Sequence, residues 1–257
     1  MPDFVQTMFW PFMACLLLAG IHVYLGIHIL ARQVVFVDLA LAQMAALGSI
    51  VGIVVGISEK GTSLLFALLG AALLTFMQSE SWVGICYATA LSATILLSTH
   101  MPHGADELRE LLSGNILWVE PNVLGKTALI YASVGFLHWL FRKKILAATF
   151  KQKTISRKWD FFFYASFAVV VTSSVSIAGV LLVFSFLIMP AVASMMFART
   201  IQNRLLIGWG IGASVSMIGM AVSYYFDLPS GPAIVLCFAI FLMLLVGVRA
   251  CCFKRMS

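Results

Sequence analysis

Nine apolar runs, separated by short polar breaks, occupy almost all of this 257-residue chain. They lie near 8–30, 34–57, 62–79, 81–99, 122–141, 160–177, 179–198, 205–226 and 232–250. A helix crossing a bilayer needs ~20 apolar residues, and two of the runs are short, so about 8–9 spans are expected. With 62% hydrophobic residues, 10% charged residues and a mean hydropathy of +1.04, no water-soluble fold could hide the apolar surface. The expected fold class is all-α, a polytopic transmembrane helical bundle, with residues 1–257 forming one membrane domain.

Charge orients the bundle. Sixteen Lys and Arg outnumber ten Asp and Glu, for a net charge of +6. If alternate connections share a side, thirteen of the sixteen collect together: Arg32, seven between Arg142 and Lys158, Arg199, Arg204, Arg249, Lys254 and Arg255. Lys60, Arg109 and Lys126 remain on the other side. Basic residues concentrate in cytosolic loops, so the N-terminus is expected outside and the C-terminus inside. The positive charge therefore reads as a topology signal and an attraction to anionic lipid, with no nucleic-acid partner. The first run lacks a basic leader and exceeds a signal-peptide core, so it is expected to be retained. Cys15, Cys86, Cys237, Cys251 and Cys252 lie in spans or at the cytosolic end and read as packing thiols.

Two connections are long. In the exterior His100–Asn122 segment, Ala105 to Leu112 fits a short amphipathic helix with Leu108, Leu111 and Leu112 on one face. Trp118 there suits the headgroup level. The interior Arg142–Trp159 segment carries seven Lys/Arg and no acid, and its KKILAATFKQK portion suits a helix along the membrane face or against a partner. Gly48, Gly52 and Gly56, and again Gly208, Gly212 and Ser216, are four residues apart and admit a neighbouring backbone. Pro190 is expected to break its span.

Ionisable residues inside spans are costly and so are site candidates. Asp38 is the acid well inside an apolar run, with Ala42 one turn on and Gln43 five residues on. Asp227, in FDLPSGPAIV, is held by a stiff turn at a span mouth, where a carboxylate suits a divalent cation. His100 and His103 form a His-x-x-His before Asp106 and Glu107, a weak zinc pattern because Pro102 and Gly104 interrupt a helix. His22, His28 and His138, each without an obvious companion, read as packed, hydrogen-bonded residues. Gly125-Lys126-Thr127 ends like a phosphate-binding loop, but Glu120 stands where that motif needs glycine. Neither nucleotide binding nor an intramembrane hydrolase set is supported.

IAGVLLVFSFLIMPAVASMMFAR (177–199) resembles the glycine-leucine-leucine, then proline-alanine, signature of the membrane subunits of zinc, manganese and iron ABC importers. DLPSGPAIVL (227–236), LGIHILARQVVFVDLALAQMAALGSIVG (25–52) and LRELLSGNILWVEP (108–121) are similar to further segments of that family, in the same order. The resemblance implies a homodimeric helical permease in a bacterial inner membrane, carrying a zinc, manganese or iron ion. It also implies cytosolic ATP-binding subunits and an extracytoplasmic metal-binding protein as partners, with ATP hydrolysis outside this chain. Asp38, Gln43 and Asp227 are then the expected translocation path, with His100, His103 and Pro190 as weaker candidates. Lys144, Lys151, Lys153 and Arg157 are the expected ATPase contact. Two departures stand out. Ala42 occupies the family's usual histidine spacing after Asp38, and KILAATFKQKTISRK lacks the family's Asp, Ala and Gly spacing. A self-powered secondary transporter or cation channel is the alternative, but that class needs several coupled carboxylates or broken helices in two matching halves.

Overall fold

The computed structural model describes residues 4–77, 79–101, 104–150 and 157–254. The chain forms α1 (Phe4–Arg32), α2 (Val37–Val55), α3 (Glu59–Phe76), α4 (Glu80–Ser98) and α5 (Gly104–Ser113), then a 3-10 turn (Ile116–Trp118). It continues with α6 (Pro121–Leu140), α7 (Arg142–Phe150), α8 (Arg157–Phe197), α9 (Ile201–Phe226) and α10 (Ser230–Lys254). No strand occurs among the described residues. Eight of these helices are long and apolar enough to cross a membrane: α1 to α4, α6 and α8 to α10.

One of the eight is two passes joined. The 41 residues of α8 would reach about 60 Å as a straight helix, twice a bilayer core. Gly179 interrupts it with φ 73° and ψ 163°. Asp160 lies beside Arg32 and Ser174 beside His22, so residues 157–178 run antiparallel to α1. Beyond Gly179, Leu187 and Ala191 lie beside Gly26, so the chain has turned back along α1. The two halves coincide with the expected spans at 160–177 and 179–198. The break falls at Gly179 and not at Pro190, where the helix continues. A proline removes one backbone donor and costs a helix one bond, whereas only glycine readily takes the left-handed φ that a reversal needs.

Contacts along α1 set the bundle's two ends. Val23 packs at Gly208, Ala19 at Gly212, and Phe4 stacks edge-on with Tyr224 at 5.1 Å, so α9 runs antiparallel to α1. Arg32, the start of α2, α7 and the start of α9 therefore share one end, the basic end. The start of α3, α5, the start of α6 and the α9–α10 turn share the opposite end. The core lies around α8, whose Phe163, Phe167 and Phe186 are fully buried, with Phe186 5.2 Å from Phe238 of α10.

The small-residue stripes act as expected, with one exception. Gly48 and Gly52 sit against Thr62 and Glu59 of α3, and any side chain there would strike that helix. Gly56 instead caps α2 in the left-handed conformation at φ 74° and meets no neighbour. The short amphipathic helix appears as α5, and the first part of the basic Arg142–Trp159 segment forms α7. Residues 151–156, which include the expected contacts Lys151 and Lys153, lie outside the described residues, as does His103.

Candidate functional site

At the end opposite the basic one, α2, α3, α5, α6 and the first half of α8 enclose a cavity of about 470 Å³. Its charged lining is mixed: Glu59, Glu107 and Glu110 against Lys60 and Lys126. Ser49, Ser63, Thr127 and Ser173 add hydroxyls. Two of these groups tie α2 to α3, since the Ser49 hydroxyl donates to Glu59 Oε1 at 2.6 Å and Ser63 donates to the Ala45 carbonyl at 2.9 Å. The Thr172 hydroxyl also lines the cavity and has no hydrogen-bond partner. A site with hydroxyls, carboxylates and an opening suits a hydrated cation in transit. No cluster of three or more His, Cys, Asp or Glu with metal-holding geometry exists among the described residues.

The α2 wall of this cavity leads to Asp38. At about 100° per residue, positions 38, 42, 45 and 49 fall within roughly 40° of one line along the helix. Ala45 and Ser49 line the cavity, while Ala42 and Asp38 continue the same face toward the basic end. Asp38 lies about 10 Å beyond Ala45 at 1.5 Å rise per residue. It has no exposed surface, and neither carboxylate oxygen has a hydrogen-bond partner. A buried carboxylate with no donor is costly, which marks Asp38 as a candidate for a functional role.

The remaining expected site residues separate. Gln43 is 1% exposed and its amide oxygen is unpartnered, but it projects about 140° around α2 from Asp38, so one ion cannot bridge the two. Asp227 is exposed at the opposite end, in the left-handed conformation at φ 54° that caps α9, and it does not line the cavity. His100 is exposed, and its Nδ1 is 3.1 Å from the Leu96 carbonyl within its own helix turn. Pro190 is buried, beside Gly208. Lys126 and Thr127 belong to the helical body of α6 and not to a loop.

The three span histidines are packed and hydrogen-bonded. His22 pairs with the Leu18 carbonyl at 2.8 Å and with the Ser174 hydroxyl, which also meets Tyr131. His138 sits between Tyr24 and Ser166. His28 Nδ1 is 2.8 Å from the Thr149 hydroxyl of α7, to which Arg32 Nε also donates. Arg32 then reaches Asp160 Oδ1 at 2.7 Å, an ion pair that joins α1 to α8. Sequence reading missed Asp160 because it sits at a span edge, where an acid is unremarkable. It missed Glu59 for the same reason, while Glu107, named only beside the His-x-x-His pattern, and Glu110 belong to the amphipathic α5, where acids are equally unremarkable.

Comparison with known proteins places this architecture. Residues 4–249 match the model of the ABC 3 transport family. The chain is 24% identical over 258 residues to the high-affinity zinc uptake system membrane protein ZnuB of Haemophilus influenzae, covering 93% of this chain and 96% of that one. It is 23% identical over 223 residues to the manganese import system permease protein ScaB of Streptococcus gordonii, covering 82% of this chain and 80% of that one. Its fold is similar to that of PsaBC from Streptococcus pneumoniae, with a TM-score of 0.78 at 22% identity over 95% of this chain and 91% of that one. A match spanning nearly every described helix, together with the shared fold, means that the chain belongs to the ABC 3 transport family.

Proposed function

We propose that this chain is the membrane permease of an ATP-driven importer for a divalent transition metal, manganese or zinc, in a bacterial cytoplasmic membrane. The basic end faces the cytosol, so the N-terminus is outside and the C-terminus inside. The cation enters through the cavity, passes down the α2 face and meets Asp38. The observation that carries this reading is the buried, donorless carboxylate in line with the cavity wall. Names of the zinc and manganese relatives support the cargo. A hard or borderline cation takes oxygen ligands, and one carboxylate among alanines holds it weakly enough for release.

ATP-binding subunits would dock at the basic end, against α7 and the residues that follow it, with Lys144 and Arg157 in reach. An extracytoplasmic metal-binding protein would deliver cargo at the cavity mouth, and a second copy of the chain would complete the permease. Replacing Asp38 by Asn removes the charge at nearly constant volume. In the assembled complex, Asp38→Asn is expected to lower uptake of labelled manganese or zinc at least tenfold without reducing the yield of complex. Normal uptake would remove Asp38 from the path. The chain alone in liposomes is expected to move no metal, and uptake driven by an ion gradient would favour a self-powered transporter.

A further inference from the structure

We propose that the corner formed by the end of α6, α7 and the start of α8 is a binding site for an anionic phospholipid. Phe136, Trp139 and Leu140 are 60%, 59% and 54% exposed at the end of a bilayer-length helix, within the depth that acyl chains occupy. The chain then turns directly into Arg142, Lys143 and Lys144, all exposed. The Arg142 guanidinium lies over the Trp139 ring at 5.3 Å, and the Lys144 ammonium over the Trp159 ring at 4.7 Å. Trp159 is itself held by Phe141 at 5.3 Å and Phe162 at 5.8 Å. Attraction to the ring faces positions two long, otherwise mobile cations at the level where tryptophans meet headgroups.

Among the described residues, Arg142, Lys143, Lys144 and Lys158 form no ion pair, and the nearby acid, Asp160, holds Arg32. A lipid fits both halves of the corner. Its chains would lie along Phe136, Trp139 and Leu140, and its phosphate would sit between Arg142 and Lys144. The ATP-binding subunits proposed to dock against α7 match only the charged half, because a soluble protein cannot reach rings at the depth of a bilayer-length helix. The chemistry is that of a phosphodiester carried on acyl chains, with the polybasic contribution screened by salt.

Native mass spectrometry of the full chain, released from detergent with phosphatidylglycerol or phosphatidylcholine, tests this. Wild type is expected to retain phosphatidylglycerol at least fivefold better, and the R142Q/K144Q variant to lose that preference. R199Q/R249Q removes two exposed cations at the same end but outside the corner, and should keep it. Trp139→Leu leaves every charge in place and should lower retention about twofold, in keeping with the modest strength of one exposed cation–ring contact. If R142Q/K144Q yields no folded protein, the wild-type ratio and its collapse in about 0.5 M salt decide the matter. Equal retention of the two lipids by wild type, or an unchanged preference in R142Q/K144Q, would overturn the site. Loss of ATP-binding subunits from R142Q/K144Q with lipid preference intact would assign the corner to that partner instead.

Discussion

Asp38 and Asp227 show how one residue type serves two ends of a bundle. Asp38 is completely buried and donorless, whereas Asp227 is exposed and supplies a left-handed cap. Charge in solvent is screened within about 10 Å at ordinary ionic strength. Asp227→Asn, which keeps a residue tolerant of positive φ, is therefore expected to reduce metal uptake less than Asp38→Asn. Uptake assays on both variants check the order, and the reverse order would move the critical acid to the mouth. Gly114 and Gly179 meet where α8 reverses. Both have positive φ, and a side chain on either would strike the other's backbone. Gly179→Ala should destabilise the protein by about 2 kcal/mol or more, from left-handed strain plus displaced backbone. The thermal midpoint of the purified protein measures it, and an unchanged midpoint would mean that the reversal does not need glycine.

At the scale of the element, α7 is anchored by a specific tie. Its Ile145, Ala148 and Thr149 are buried, and the Thr149 hydroxyl meets both His28 and Arg32. Thr149→Val keeps the shape, removes the hydroxyl and strands two partners, at a cost of about 1–3 kcal/mol. Hydrogen exchange across Arg142–Phe150 should speed up accordingly while the spans stay protected. Unchanged exchange would show that packing alone holds the helix. The existence of α5 and α7 was readable from leucine spacing and from mixed apolar and basic patterning. Their docking was not, because it depends on Ser113 meeting Gly231 and on Thr149 meeting α1, pairs far apart in the chain.

For the whole molecule, the reversal at Gly179 turns the eight long helices among the described residues into nine passes and places the start of α1 and the end of α10 at opposite ends of the bundle. Topology is testable on that basis. Single cysteines at Lys158 and Asn115, in a background lacking the native cysteines, should label differently with an impermeant thiol reagent in intact cells. Labelling at Asn115 alone is expected, because the basic connections belong in the cytosol. Labelling at Lys158 alone would invert the molecule and move the cavity to the inner face.

Apolar run length and charge placement determined the all-α membrane class, the span positions and the two-ended charge asymmetry, since these depend only on local composition and on the cost of bare polar groups in hydrocarbon. They also exposed Asp38, because an acid stands out within an apolar run. The cavity was decided by tertiary structure alone. Its carboxylates and hydroxyls come from five helices and lie in polar breaks or on amphipathic faces, where such residues carry no local signal. So was the site of the chain reversal: Pro190 is the stronger breaker by local propensity, but Gly179 is where α8 meets the backbone of Gly114, and only a residue without a side chain fits there.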